Sequence, residues 1–141
     1  MSKELINAGY RPYDLGELFT KVNAIDITKQ GDIVITKYFD RVVNTTKVSN
    51  LYEIFDIRQF LKSKIDQLAH NFNLRWYKFT MKKGIQELTL LSDDVEINGT
   101  LYQKAFFILN SSDKSRRLNM NMGLYRADNK SYFVSSIRNM S

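Results

Sequence analysis

The chain has 141 residues, of which 43% are hydrophobic and 13% aromatic, enough for one folded domain. It contains no cysteine, which excludes disulfides, thiolate nucleophiles and cysteine-based zinc or iron–sulfur sites. The net charge of +6 is uneven, because residues 71–141 hold eleven basic and six acidic residues, against ten and nine in residues 1–70. A basic half of this kind suits a polyanionic partner, although it also occurs in domains that only need to stay in solution.

Residues 1–24 are predicted to combine short helical pieces with irregular chain. Met1 to Ala8 has helical character, Gly9 to Pro12 interrupts it, and Asp14 is placed to cap a second helical turn. We interpret this stretch as an N-terminal arm that could pack on its own chain or on a neighbour.

Residues 32–44 are predicted to form one buried strand. β-Branched and aromatic side chains occupy both faces of this stretch, which is typical of a strand covered on two sides. We expect the strand to bend near Asp40.

The main helix is predicted to run from Ser49, its N-cap, to about His70. Its apolar residues recur mostly at three- and four-residue steps and form one stripe, namely Leu51, Ile54, Phe55, Leu61, Ile65, Leu68 and Phe72. Asp56 could cap a second segment, so a break near Phe55 stays open as an alternative.

From Leu74 onward the period of the apolar residues changes to two, which indicates strands. Residues 74–81 and 85–91 are predicted to pair through a short turn containing Gly84, and Ser92 to Asp94 should end the second of these strands. Asn98-Gly99 is the strongest hairpin signal in the chain. Further strands are predicted over residues 100–109, 118–124 and 131–137.

These elements predict a single α+β domain over residues 1–141. We expect a largely antiparallel sheet of five to seven strands, with one long amphipathic helix packed on one face. No uninterrupted apolar run approaches the ~20 residues that a membrane helix needs, and the N-terminus lacks a hydrophobic signal core. We therefore expect a cytoplasmic protein with no membrane partner.

Few residues are placed for catalysis or metal binding. Asp93, Asp94 and Glu96 are the only close carboxylates, and a solvated turn explains them better than a cation site. The single histidine, His70, is best explained as a helix C-terminal residue that interacts favourably with the dipole. Phosphate-binding glycine motifs are missing. We expect neither a catalytic site, nor a metal, nor a cofactor.

Basic and aromatic residues of the second half form the candidate site. Sheet proteins that hold single-stranded nucleic acid stack bases on strand aromatics and place lysine and arginine on the phosphates. Core packing and ordinary exposed turns are the competing explanations for the same residues. The candidates for nucleic-acid binding are Lys82, Lys83, Lys114, Arg116, Arg117, Arg126, Trp76 and Tyr125.

Two stretches carry a family resemblance. Phe107-Ile108-Leu109-Asn110-Ser111-Ser112-Asp113 and Gly123-Leu124-Tyr125-Arg126 resemble paired motifs of the phage/plasmid-like family known as domain of unknown function 932, and Thr45 to Leu51 resembles its threonine-marked helix start. In the family the first motif reads Asn-Ser-His-Asp-Gly, where this chain has Ser112 and Lys114 in place of the histidine and glycine. The resemblance implies a diverged or shortened member from a bacteriophage or mobile element, and no biochemical role.

The leading functional hypothesis is a non-enzymatic phage or mobile-element protein of the bacterial host cytoplasm. It would bind nucleic acid, single-stranded rather than duplex, in recombination, replication or DNA protection. The alternative is a protein-binding module, either a phage inhibitor of a host defence factor or a self-assembling structural component that forms a homo-oligomer.

Overall fold

The computed structural model describes residues 2–111, 118–126 and 131–136, and these form an α+β fold with antiparallel strands, as predicted. The helices are α1 (Ser2–Asn7), α2 (Leu15–Asn23) and α3 (Ile57–Asn71). The strands are β1 (Arg11–Pro12), β2 (Ile25–Gln30), β3 (Ile33–Tyr38), β4 (Arg41–Lys47), β5 (Trp76–Lys82), β6 (Ile85–Ile97), β7 (Thr100–Ser111), β8 (Asn119–Arg126) and β9 (Ser131–Ser136).

The larger sheet has the strand order β1-β5-β6-β7-β8-β9, so its last five strands each pair with their neighbour in sequence. The Asn98-Gly99 hairpin is confirmed, because β6 and β7 meet there with φ values of 51° and 81° at its two central residues. The expected end of a strand at Ser92 is wrong. β6 continues to Ile97 across a register shift between Leu91 and Asp94.

The smaller sheet has the order β2-β3-β4 and corrects the prediction of a single strand over residues 32–44. Phe39 and Asp40 form a two-residue turn between β3 and β4, with φ of 49° and 63°. The expected bend near Asp40 is thus a tight turn; it was not predicted as a hairpin because positive φ is rare for a residue such as phenylalanine. β2 was not predicted either.

The prediction of one long helix over residues 49–70 is wrong, and the break near Phe55 is confirmed. α3 begins after Asp56, whose carboxylate accepts a hydrogen bond of 3.1 Å from the Gln59 backbone N–H. Upstream, Lys29 Nζ donates to the carbonyl oxygens of Asn50 and Tyr52 at 2.6 and 2.8 Å. These two hydrogen bonds help to hold the backbone of residues 49–56 in a non-helical conformation. Within the described residues, no helix has the length and apolar character needed to span a membrane.

Each face of the larger sheet contributes to an apolar core. On one face, α2 and α3 pack against the sheet through Leu18, Leu61, Tyr77, Leu88 and Phe106, among others. On the other face, α1 and the residues after it cover one end of the sheet, where a second cluster contains Leu5, Tyr10, Leu91, Ala105 and Tyr125. The N-terminal arm therefore packs on its own chain.

A cluster of charged side chains joins α2 to β1 and β5. The Glu17 carboxylate accepts hydrogen bonds from Arg11 Nε and from the hydroxyl of Tyr77. Lys21 Nζ lies 3.9 Å from the same carboxylate and 5.1 Å from the centre of the Tyr77 ring. Hydrogen bonds to the charged carboxylate hold the pKa of Glu17 at about 2, below the ordinary 4.5, with Arg11 the main cause and Tyr77 the next.

Candidate nucleic-acid interface

Lys82 and Lys83 lie at the tip of the hairpin between β5 and β6, and both side chains are exposed. Lys83 takes the left-handed turn position, with φ of 54°. Neither lysine makes an ion pair with another residue of the described ranges. Two adjacent cations are therefore presented to solvent at one end of the larger sheet.

The connection between β7 and β8 starts and finishes at the same end of the sheet. Ser111, the last residue of β7, pairs with Ile85 next to the lysine hairpin, and β8 begins at Asn119 opposite Leu109. The intervening sequence carries three of the predicted site residues, Lys114, Arg116 and Arg117, which lie outside the described residues.

The structure places the remaining predicted residues at the opposite end of the sheet. Trp76 begins β5, whereas Tyr125 and Arg126 end β8. At about 3.3 Å per residue, the length of β5 separates Trp76 from the lysine hairpin by roughly 20 Å. The predicted set is thus divided between two ends of the sheet rather than joined in one site.

Tyr125 is also covered. It is 5% exposed, and its ring centre lies 5.2 Å from that of Tyr10 in the cluster beneath α1. Burial raises the pKa of its hydroxyl. Trp76 is half-buried against the same cluster. A nucleobase cannot reach the Tyr125 ring without displacing the N-terminal residues, so core packing describes Tyr125 in this structure.

Between the lysine hairpin and α1, one face of the larger sheet is not covered by any of the described helices. The strand register places eight half-buried or exposed side chains on it, and we call this surface the open face: Thr80, Lys82, Glu87, Thr89, Phe107, Leu109, Asn119 and Asn121. Phe107 provides an aromatic ring at the end of this surface nearest α1, where it is half-buried and packs against the cluster beneath α1, with Thr89 and Asn121 opposite it on the two neighbouring strands.

Phe107 is a residue that sequence reasoning missed as a candidate. β7 is apolar on both faces, so its pattern did not show which aromatic residues face solvent. Phe106 points to the helix side and is 3% exposed, whereas Phe107 on the opposite face is half-buried. The only signal was the run of hydrophilic partners on β8, Asn119 and Asn121.

Two charged groups near the open face need separate explanations. Lys78 Nζ donates a 3.0 Å hydrogen bond to the Ala8 carbonyl oxygen and lies 5.7 Å from the centre of the Tyr10 ring, so it holds the N-terminal residues in place. Glu87 is the one carboxylate of the open face and is exposed. Its charge opposes that of Lys82.

The carboxylates near residue 94 bind protein groups. Asp93 accepts a 2.9 Å hydrogen bond from Asn73 Nδ2 and lies 3.7 Å from Arg75 Nη1, and Asp94 accepts a 3.0 Å bond from Gln103 Nε2. Among the described residues, no three acidic, histidine or cysteine side chains are grouped as metal ligands.

Comparison of the chain with protein-family models, with curated proteins and with solved structures finds no match. The resemblance of residues 107–113 and 123–126 to a phage/plasmid-like family therefore stays a prediction from the sequence.

Proposed function

We propose that this protein binds single-stranded nucleic acid on the open face, without a catalytic step. The observation that carries the proposal is the pair of exposed lysines, Lys82 and Lys83, which make no ion pair within the described ranges and lie at one end of a sheet surface that has the half-buried Phe107 ring at its other end. Strand surfaces that combine an aromatic ring with flanking cations are a recurrent way to hold single strands.

Each part of the open face has a separate role in this proposal. Lys82 and Lys83 contact phosphates, which gives affinity without sequence preference. The Phe107 ring stacks on a base, and the Thr89 hydroxyl and Asn121 amide offer hydrogen bonds to base edges or sugar. Lys114, Arg116 and Arg117 would add phosphate contacts from the connection that starts and finishes beside the hairpin.

A bacteriophage or mobile-element origin, with a role in recombination, replication or DNA protection, is part of the same proposal. It rests on the sequence resemblance alone. A cytoplasmic location in the bacterial host would follow from that origin.

Fluorescence anisotropy tests the proposal with a labelled single-stranded oligonucleotide, its duplex and the matching RNA, at low and physiological salt. We expect the single strands to bind more tightly than the duplex, with affinity falling steeply as salt rises. The Lys82→Ala/Lys83→Ala variant should reduce the slope of log K against log salt by about 1.4, since each lost single-strand phosphate contact contributes about 0.7.

The matched control is the Arg41→Ala/Arg58→Ala variant, which removes the same charge from exposed positions on β4 and α3. Arg41 pairs with Tyr38 in the smaller sheet, and Arg58 lies on α3, which packs on the face of the larger sheet opposite the open face. Equal losses of oligonucleotide affinity in the two variants would mean that only the net charge matters. Absence of binding at low salt would contradict the proposal.

A second candidate function is protein binding, favoured by a different surface. The outer face of the smaller sheet exposes Ile33 and Val42, and Phe39 stands exposed at the adjoining turn, with Val42 at 59% exposure. Val42 lies opposite Lys37, four residues along β3 from Ile33, and several exposed apolar groups on one small sheet are a feature of interaction surfaces. Light scattering after size exclusion should then show a homo-oligomer that Val42→Lys converts to monomer.

A further inference from the structure

An apolar groove lies on the helix side of the larger sheet, beyond the end of α3. It has a volume of about 280 Å³ and is lined mainly by Phe72, Phe106, Met122 and Leu124, with Lys104 among the lining residues. Phe72 is the C-cap of α3, and its ring centre lies 4.7 Å from that of Phe106. The groove exists because α3 stops at Asn71 while β7 and β8 continue beyond it.

The charge around the groove favours an anion. Lys104 is exposed and makes no ion pair within the described ranges. Asp94 and Glu96 of the neighbouring strand pair with Gln103 and Leu101, which places both carboxylates on the opposite face of the sheet from Lys104. Asp93, in the register shift opposite Lys104, accepts a hydrogen bond from Asn73 and lies 3.7 Å from Arg75 Nη1, so its carboxylate already has partners.

The groove does not suit an added peptide strand. β7 pairs with β6 and β8, and β8 pairs with β7 and β9, so neither strand presents a free edge for backbone hydrogen bonds. The volume is just below the ~300–1,000 Å³ range of small-molecule pockets. The strand pairing and the lining therefore suit a small apolar ligand rather than a peptide strand.

We propose that this groove binds a small organic acid of the class of medium-chain aliphatic carboxylates. The apolar body would contact Phe72, Met122 and Leu124, and the carboxylate would pair with Lys104. The groove lies on the face of the sheet opposite the open face, so this binding is independent of the proposed nucleic-acid function.

The full chain labelled with ¹³C at its methionine methyl groups tests the proposal by NMR. The sequence has five methionines; Met81, Met120 and Met122 all belong to or pack against the core beneath the helices, and of these three only Met122 lines the groove. Titration with sodium decanoate should shift the Met122 methyl resonance saturably and leave those of Met81 and Met120 in place. Decan-1-ol is the neutral probe with the same chain.

The Lys104→Gln variant should weaken decanoate binding about fivefold, the size expected for one partly exposed ion pair, and leave decan-1-ol binding unchanged. Lys83→Gln is the matched control and should change neither. Lack of a saturable Met122 shift would overturn the proposal. Equal shifts at Met81 and Met120, or an unaltered decanoate affinity in Lys104→Gln, would also overturn it. A Met122 shift caused by oligo(dT) would instead assign the groove to nucleic acid.

Discussion

Asp40 occupies the second central position of the turn between β3 and β4, with φ of 63°. A left-handed conformation costs a residue with a Cβ about 1–2 kcal/mol, more than the roughly 0.5–1 kcal/mol that glycine loses through its flexibility. We expect Asp40→Gly to raise the free energy of unfolding by about 0.5–1 kcal/mol, measured as a higher denaturant midpoint at constant m-value.

Gly99 provides the reverse control for Asp40→Gly. Its φ is 81°, and a Cβ built on it would meet no atom within 4 Å, so Gly99→Ala adds backbone strain without a clash. This variant should lower the free energy of unfolding by about 1 kcal/mol. A loss of stability in Asp40→Gly would show that the aspartate side chain stabilises the turn by more than its strain.

Glu87 is the residue that lowers the positive charge of the open face. Its carboxylate lies among groups proposed to meet phosphates, and like charges a few ångströms apart in water repel by about 1 kcal/mol. Glu87→Gln should therefore strengthen oligonucleotide binding about two- to fivefold in the anisotropy assay. The same substitution at Glu53, an exposed residue outside the open face, should have a smaller effect. An unchanged affinity in Glu87→Gln would place the bound strand elsewhere.

At the level of elements, the cluster formed by Glu17, Arg11, Tyr77 and Lys21 helps to hold α2 against the larger sheet. The folded-state pKa of Glu17, about 2, is lower than the ordinary 4.5, so the cluster stabilises the fold above pH 4.5 and loses this contribution as the pH falls from 4.5 to 2. Burial, and then the hydrogen bond to Glu17, raise the pKa of Tyr77, so its contribution is lost above pH 10.

Denaturation at a series of pH values should show both losses. In Glu17→Gln the fall in stability between pH 4.5 and pH 2 should be smaller than in the parent chain. Tyr77→Phe should cost about 1–2 kcal/mol at pH 7 and reduce the fall above pH 10, because the hydroxyl and its hydrogen bond are gone. Parallel pH curves for all three proteins would contradict this role of the cluster.

The elements that could be predicted from the sequence are those with a local signal. Three such features were predicted correctly: the Asn98-Gly99 hairpin, the Asp14 cap and the alternating strands after residue 74. Turn type, capping and hydrophobic period each depend on residues that are close in sequence. Residues 49–56 were assigned to a helix because their apolar spacing is helical. Their actual path depends on Lys29, more than twenty residues earlier, which no local pattern reveals.

The candidate site shows the same limit. The lysines of the β5–β6 turn were predicted as exposed cations, and they are. Trp76 and Tyr125 were grouped with the lysines because all of them lie in strands or at strand ends. Which side of the sheet α1 covers depends on tertiary packing, and the sequence pattern does not show it. Phe107 and the position of Glu87 beside it depend on strand register, which the sequence leaves open where both faces are apolar.

At the scale of the whole molecule, α1 completes the second core. Leu5 is 1% exposed in the cluster that also includes Tyr10 and Tyr125, and Trp76 packs against it. Leu5→Ala should therefore cost about 2–5 kcal/mol of unfolding free energy. Trp76 is the only tryptophan, so its fluorescence should also shift to longer wavelength as water reaches the cluster.

Ile6, the next residue of α1, is 56% exposed and gives a matched control. Ile6→Ala should change stability by less than 1 kcal/mol and leave the Trp76 emission where it is. Equal effects of the two substitutions would mean that α1 does not pack through Leu5.

The N-terminal residues can pack only after distant parts of the chain have been synthesised, because their partners lie far along the sequence. On the ribosome, Leu5 and Tyr10 are made first, yet their partners Leu91, Ala105 and Tyr125 come some 80 to 120 residues later. At ~5–20 residues per second, this delay is on the order of ten seconds. For that time Leu5 and Tyr10 have none of these partners to pack against, so the apolar side chains of this segment stay in water while the rest of the chain is made.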